Sequence, residues 1–308
     1  MRESIREPTD PSPDVGVGSG VRVRSLICHR DVSMGVQCLG SLARSVAGAR
    51  FVFHDDGSLT DEDVAELTDK LPVEAVVRRA EANEYISDLL AKHPSCRRAR
   101  AENVMMLKLF DVALIGGGDI CYCDTDVLFF RKTAGLFKWT QNDPAAVFMR
   151  DSNHAYAARP WHLWGRDRIR LPKHVNAGMF MFRREKYDLD FLEWLLSVER
   201  MRSIQRHIAW WAEQTCWAAM AFRAGCGLWD REQIAVVGDD WALGERTIAA
   251  HFVASSRHKL AAARQLASEI DPAGLDRTTV RIVKASECTV FDLGRSQIAR
   301  RLRRACGF

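Results

Sequence analysis

The chain lacks any apolar run approaching the roughly 18 residues a membrane-spanning helix needs, so no segment of it reads as a membrane span. Its first stretch, MRESIREPTDPSPDVGVGSG, lacks the apolar segment of a secretory signal. Pro, Gly, Ser and Asp prevail there instead, and residues 1–20 are expected to form a disordered leader. The nine cysteines include no Cys-x-x-Cys pair, and their number is odd. A zinc site of paired thiolates is therefore not expected; reduced, mostly buried thiols in a cytoplasmic protein are. No internal repeat and no clean linker divide the chain. Its 308 residues, 47% hydrophobic and 27% charged, have ordinary globular composition. The simplest division is one domain over residues 21–290, with a basic tail over 291–308.

An excess of one charge is also missing from most of the chain. The formal net charge is +4, but Arg295, Arg300, Arg301, Arg303 and Arg304 sit in a tail segment without an acid. Outside those five, 39 basic residues face 40 acidic ones, which argues against a general nucleic-acid binder. The tail has two readings. It is a basic amphipathic helix, with Ile298 and Leu302 spaced i, i+4, that touches anionic lipid as a peripheral contact; or it is a solvated, frayed terminus.

Periodicity organises the rest. VRVRSLICH (residues 21–29) reads as a buried strand, and MGVQCLGSLARSV as a helix with Val36, Leu39, Leu42 and Val46 on one face. ARFVFHDDGS is a second strand ending in a turn. TDEDVAELTDKL carries a capping signature, Thr60 with Asp63 three residues on, and a stripe of Val64, Leu67 and Leu71. VEAVVRR is a third strand, EYISDLLAKH and ENVMMLKLFDVALI are helices, and ICYCDTDVLFF is a strand running into two carboxylates. Such alternation implies an α/β fold with a mostly parallel central sheet and helices on both faces. Ligands bind such sheets beyond the carboxyl ends of the strands, where Asp55-Asp56 and Asp124-Thr125-Asp126 both fall.

The second half is less regular. AAVFMRD is a strand. Residues 152–174 form a long aromatic and basic loop containing Trp161 and Trp164, expected to be functional or poorly ordered. HVNAGMFMFRR is an apolar strand, and Gly178 inside it marks a close approach by a ligand or another backbone. DLDFLEWLLSVER is a helix with Phe191, Trp194, Leu195 and Val198 on one face. HIAWWAEQTCWAAMAFRAG is another, closed by Gly225. EQIAVVGDDW and AAHFVASSRHK supply further strands and a basic loop.

The residues that carry chemistry stand at these edges. On a strand that reaches them, Asp124 and Asp126 point the same way, and paired hard oxygens suit Mg²⁺ or Mn²⁺ with phosphate behind the metal; the competing reading is a polar strand end. Asn176 is an awkward residue in a buried strand. Glu213 and Gln214 stand in an otherwise apolar helix, either aimed at a ligand or on its solvent face. His251 precedes a loop with Arg257, His258 and Lys259, whose cations suit a diphosphate.

The ordered set FHDDGS, YCDTDVLFF, NAGMF, EQTCW and HFVASSRHK, spanning residues 21–260, resembles the nucleotide-sugar glycosyltransferases of the Rossmann-like GT-A fold. It is most similar to their glycogenin-like and galactosyltransferase-like branch, where D-x-D, N-x-G, D-Q and H-x-x-G-x-x-K occur in that order. The resemblance implies Asp124, Asp126 and His251 as metal ligands, the imidazole favouring Mn²⁺ over Mg²⁺. It implies contacts to the nucleoside, uridine by the same resemblance, from Asp56, and contacts to the diphosphate from Thr125, Lys259, Arg257 and, less directly, Lys108. Asn176 and Gly178 would line the donor sugar, with Glu213 and Gln214 as the catalytic pair. An acid at 213 would serve as base in an inverting reaction or sit near the anomeric carbon in a retaining one, the latter being favoured. A nucleotide-sugar donor and a saccharide, lipid-linked or small-molecule acceptor follow, with no nucleic acid. The chain departs from the pattern in three places: Glu213 replaces Asp, Ala254 replaces Gly, and Arg257-His258-Lys259 stands where Lys-Pro-Trp is usual.

Two rival readings compete with this one. In a haloacid-dehalogenase-like phosphatase Asp124 would be the nucleophile, with Asp126 and the Asp239-Asp240 pair completing the site. Leu128 stands where that family has Thr or Val, and about 100 structured residues precede the motif. The other rival is a non-catalytic nucleotide-sugar binding module.

Overall fold

A computed structural model of the chain describes residues 20–197, 209–238, 241–269 and 278–305. The expected leader up to residue 19, Val198, Asp239, Asp240 and the last three residues lie outside the described residues. The first half alternates as its periodicity requires: β1 (Arg22–Ile27), α1 (Val32–Ser45), β2 (Arg50–Asp55), α2 (Asp61–Lys70) and β3 (Val73–Val77). Thr60 and Asp63 cap α2 reciprocally, each side chain accepting from the other's backbone N–H. Three helices follow where two were expected: α3 (Arg79–Leu89), α4 (Pro94–Glu102) and α5 (Met106–Leu114). The charged SCRRARAE segment of α4 hides its helical period, but Pro94 starts it.

Next come β4 (Ile120–Cys123), β5 (Val127–Phe129), β6 (Thr133–Ala134), β7 (Ala146–Arg150) and β8 (Val175–Phe182). The remaining elements are α6 (Leu189–Ser197), α7 (Ala209–Ala224), β9 (Cys226–Trp229), β10 (Ile234–Val236), β11 (Ala249–His251), α8 (Leu260–Glu269), β12 (Thr278–Thr279), β13 (Ile282–Lys284) and α9 (Val290–Ala305). Gly225, at φ +93°, ends α7 as expected. In α6 the buried face is Leu192, Leu195 and Leu196 rather than the Phe191–Trp194 side, because Phe191 and Trp194 stack on each other near the surface. The tail forms α9 through Ala305, so it is helical rather than frayed up to that residue.

Eight strands form one sheet in the order β13-β9-β7-β8-β4-β1-β2-β3. β3, β2, β1 and β4 run parallel, as do β7 and β9. β8 runs antiparallel to both neighbours, and β13 is antiparallel to β9. All eight residues of β8 are buried because both sheet faces are covered. Its Phe180 and Phe182 pack with Trp217 of α7, while Met179 and Met181 join the core beside α1 and α2. A fully buried side chain of this size contributes roughly 2 kcal/mol of hydrophobic stabilisation. A smaller sheet, β10-β11-β5, sets β11 antiparallel to β5 and brings His251 opposite Val127.

The expectation that a strand carries both aspartates is corrected here. β4 stops at Cys123, and Asp124-Thr125-Asp126 forms the turn into β5. Asp124 N–H donates to the Gly178 carbonyl at 2.6 Å, and the Asp126 carbonyl accepts from Phe252 N–H at 2.9 Å. The carboxylates converge because this turn is clamped between β8 and the end of β11, not because of strand alternation. Among the described residues no helix is long and apolar enough to cross a membrane. Of the eight described cysteines, all unpaired, seven are buried.

Candidate active site

Asp124, Asp126 and His251 each offer a ligand atom within 4.8 Å of the others, the one such group among the described residues. His251 Nε2 faces Asp126 Oδ1 at 3.1 Å and Asp124 Oδ2 at 3.8 Å. Its other nitrogen, Nδ1, lies 3.0 Å from Asn176 Oδ1. That oxygen also accepts from Gly178 N–H at 3.0 Å, while Asn176 Nδ2 donates to Asp151 Oδ2 at 3.0 Å. With Asn176 oriented this way, His251 must donate from Nδ1, which turns Nε2 towards the carboxylates. Fixing the outer nitrogen so that the inner one faces a metal is a familiar supporting arrangement.

Gly178 makes room for this ring. A Cβ there would lie 2.2 Å from both Nδ1 and Cε1 of His251. The close approach read from the sequence is therefore to an imidazole.

Cations compensate both carboxylates. Arg257 places Nε and Nη2 at 2.9 and 2.8 Å from Asp126 Oδ2, and its Nη1 is 3.4 Å from Asp31. Lys108, buried behind the turn, holds Nζ 3.3 Å from each Asp124 oxygen and 3.8 Å from Glu213 Oε1. The same ammonium sits 4.4 Å over the Tyr122 ring, whose hydroxyl donates to Asp124. Burial disfavours charge on Asp126, but His251 and Arg257 outweigh it and lower the carboxyl pKa. Burial likewise opposes charge on His251, and Asp126 overcomes it, raising the imidazole.

Glu213 is 2% exposed, and burial pushes its carboxyl up to about 8, against the opposing pull of Lys108. Its Oε1 has no hydrogen-bond partner. A carboxyl raised from 4.5 to about 8 holds a proton in the folded state that the unfolded chain releases. The stability this proton contributes is complete below pH 4.5 and is lost as pH rises through about 8. Glu213→Gln is therefore expected to match the wild type near pH 5 and to exceed it by on the order of 3 kcal/mol near pH 9. Urea unfolding across that range tests this, and parallel pH profiles for the two proteins would refute it.

The other expected site residues take varied positions. Gln214 spends both ends of its amide on backbone, accepting from Ala177 N–H at 3.1 Å and donating to the Ala155 carbonyl at 2.8 Å. Thr125 is buried with its methyl against the α1 glycine Gly35. Asp56, at the end of β2, accepts from Ser58 N–H and Oγ. Lys259 donates to the Gly238 carbonyl at 2.9 Å from the short helical turn Ala254–Lys259. Lys108, on the helix before the motif as expected, lies between Asp124 and Glu213. Sequence reasoning missed Asp31, Tyr122 and Asp151. Tyr122 had a signal, since it lies on β4 two residues before Asp124; Asp31 stands just before α1, and Asp151 just past the end of β7.

No protein-family profile and no curated protein matches the sequence. Solved structures do match the fold. Mouse xyloside xylosyltransferase 1 in its apo form superposes with a TM-score of 0.51 at 10% identity, covering 77% of this chain and 99% of that one. The apo form of the glycosyltransferase GlyE of Streptococcus pneumoniae TIGR4 superposes at 0.54 and 10% identity, covering 82% of this chain and 61% of that one. The chain thus has the GT-A glycosyltransferase fold.

Proposed function

We propose that the protein is a metal-dependent glycosyltransferase that moves a sugar from a nucleoside diphosphate, uridine diphosphate by resemblance, to an acceptor hydroxyl. The observation that carries this reading is the oriented Asp124-Asp126-His251 cluster on a GT-A fold. Two hard carboxylates and one imidazole suit Mn²⁺, and also Mg²⁺ less well. The residues fit such an ion: Asn176 turns His251 Nε2 inward, and Gly178 leaves room for the ring. When bound, the cation supplies Lewis-acid stabilisation to the charge growing on the departing diphosphate.

The chain's own groups do the rest. Arg257 holds Asp126 Oδ2 with two N–H groups, so it is the cation that yields that oxygen and turns to the diphosphate. Lys259 adds a second positive charge from the same turn. His251 would hold such an ion through Nε2, with Nδ1 donating to Asn176 Oδ1. Lys108 stays behind Asp124 as its buried counter-charge. Asp56 meets the nucleoside at the end of β2, with Thr125 contributing to the nucleotide side from the turn. Asn176 and Gly178 bound the sugar side while serving His251.

Glu213 bears on stereochemistry. With its carboxyl raised to about 8 and its side chain buried, it is protonated at neutral pH and is a poor general base. This favours the retaining reaction. Gln214 acts by positioning, since its amide ties β8 to the loop at Ala155. The phosphatase alternative depends on Asp239 and Asp240, outside the described residues, and leaves His251 and Asn176 without a role.

The test is thermal unfolding with UDP or GDP, each with Mn²⁺ or EDTA. A diphosphate at about 100 times its Kd stabilises the folded state by about 2.7 kcal/mol, a rise of roughly 5 °C or more. A rise that requires both metal and one nucleotide supports the reading and names the donor base. No nucleotide response, together with Mg²⁺-dependent phosphate release from a phosphomonoester that Asp124→Asn abolishes, would establish the phosphatase instead.

A further inference from the structure

The five most exposed large apolar side chains among the described residues are Phe291 (81%), Trp164 (71%), Ile298 and Leu302 (60% each) and Trp161 (59%). They fall on two neighbouring elements. Three are on α9; the tryptophans are on and beside the short helical turn Pro160–Leu163. These elements pack together: a Cβ on Gly294 of α9 would lie 3.9 Å from Pro160 Cγ, and Gln297 donates to the Ala158 carbonyl at 2.8 Å.

α9 cannot roll to bury its apolar stripe, because its opposite face is already engaged. Leu293 is fully buried, Arg300 donates to the His154 carbonyl at 3.1 Å, and its guanidinium lies 4.3 Å over the Trp211 ring. Asp292 pairs with Lys173 at 2.9 Å. At 100° per residue, Phe291, Ile298 and Leu302 share one outward stripe within about 40° of arc. Arg295 and Arg301 are exposed alongside it, as are Arg166 and Arg168 in the tryptophan loop. Residues 159–174 and 290–308 together hold ten basic and two acidic residues, of which Arg170 is paired with Glu287 and Lys173 with Asp292.

We propose that this surface docks the protein onto an anionic phospholipid bilayer. Phe, Ile, Leu and Trp side chains would enter the boundary between headgroups and acyl chains, while the surrounding arginines meet lipid phosphates. Charge selects this occupant over a second copy of the chain, since a two-fold self-contact would bring two arginine-rich patches together. The inference is independent of the transferase reading.

The experiment is sedimentation of the full chain with vesicles of phosphatidylcholine alone or with about 30% phosphatidylglycerol. Binding to the anionic vesicles should exceed binding to the neutral ones by about tenfold, and raising salt from about 0.1 to 0.5 M should weaken it. Phe291→Ser/Ile298→Ser/Leu302→Ser should cut it about tenfold with an unchanged melting temperature, since these side chains already face water. A second readout needs no α9 variant: anionic lipids with brominated chains should quench tryptophan fluorescence, and Trp161→Ser/Trp164→Ser should lose that quenching. No binding to either vesicle would overturn the proposal. So would binding without quenching, or a dimer in solution that the triple substitution dissociates while vesicles bind nothing.

Discussion

Asp126→Ala is expected to lower stability by about 2–4 kcal/mol before any ligand is added, and to abolish the joint response to metal and nucleoside diphosphate. The first effect comes from what the carboxylate leaves behind. Arg257 loses both of its short contacts to Asp126 Oδ2, and His251 loses the carboxylate 3.1 Å from its Nε2. His251 is almost fully buried, while water reaches about a third of the Arg257 side chain, so the cost lies below that of a fully buried pair. The second effect follows from losing one of two hard oxygens in the cluster. Transfer activity should fall by about 10²–10³-fold or more, as when a main electrostatic group at a leaving group is removed. Urea unfolding gives the first quantity, and melting with UDP and Mn²⁺ gives the second. An Asp126→Ala protein that keeps a metal-dependent nucleotide shift would exclude this cluster as the metal site.

Gly178→Ala should be nearly as damaging, although it adds a single methyl. The new Cβ would stand 2.2 Å from Nδ1 and Cε1 of His251 and 2.9 Å from Nε2. The ring cannot withdraw easily, since Asn176 holds one nitrogen and Asp126 faces the other. The backbone at Gly178 is held as well: the β7 ladder skips residues 177–179, but Gly178 N–H donates to Asn176 Oδ1 and its carbonyl accepts from Asp124 N–H. The overlap should cost about 3 kcal/mol and lower metal affinity by about 10–100-fold. A double-mutant cycle isolates the cause. In a His251→Ala background the clash is gone, so the added methyl should be almost without effect there. An equal penalty in both backgrounds would show that the ring is not what Gly178 accommodates.

Much of this architecture is legible in local pattern. Alternating apolar periods place β1 to β3 with α1 and α2 between them, and Thr60 and Asp63 announce the start of α2. Neighbouring side chains suffice for such features. The position of Asp124 and Asp126 at a carboxyl edge is equally visible. The way their carboxylates converge is not, since the apolar VLFF continues the strand pattern through what is a turn. Helix α4 escapes notice for the opposite reason: a charged segment with no apolar stripe packs through Cys96 and Ala99, which are small.

The sequence by itself determined the layer architecture, the carboxylate pair, the glycine that marks a close approach, and the basic character of the tail. These rest on local periodicity, backbone preference and side-chain chemistry. Only the tertiary structure decided which cation answers which carboxylate. Arg257 reaches Asp126 across 131 residues, and Asn176 reaches His251 across 75. It also put Lys108 of α5 behind Asp124, and turned Phe291, Ile298 and Leu302 outward while Leu293 was buried. Both faces of α9 carry apolar residues, so local pattern cannot choose between them. The choice belongs to the surface at Ala158 and His154 that receives one face and leaves the other to solvent.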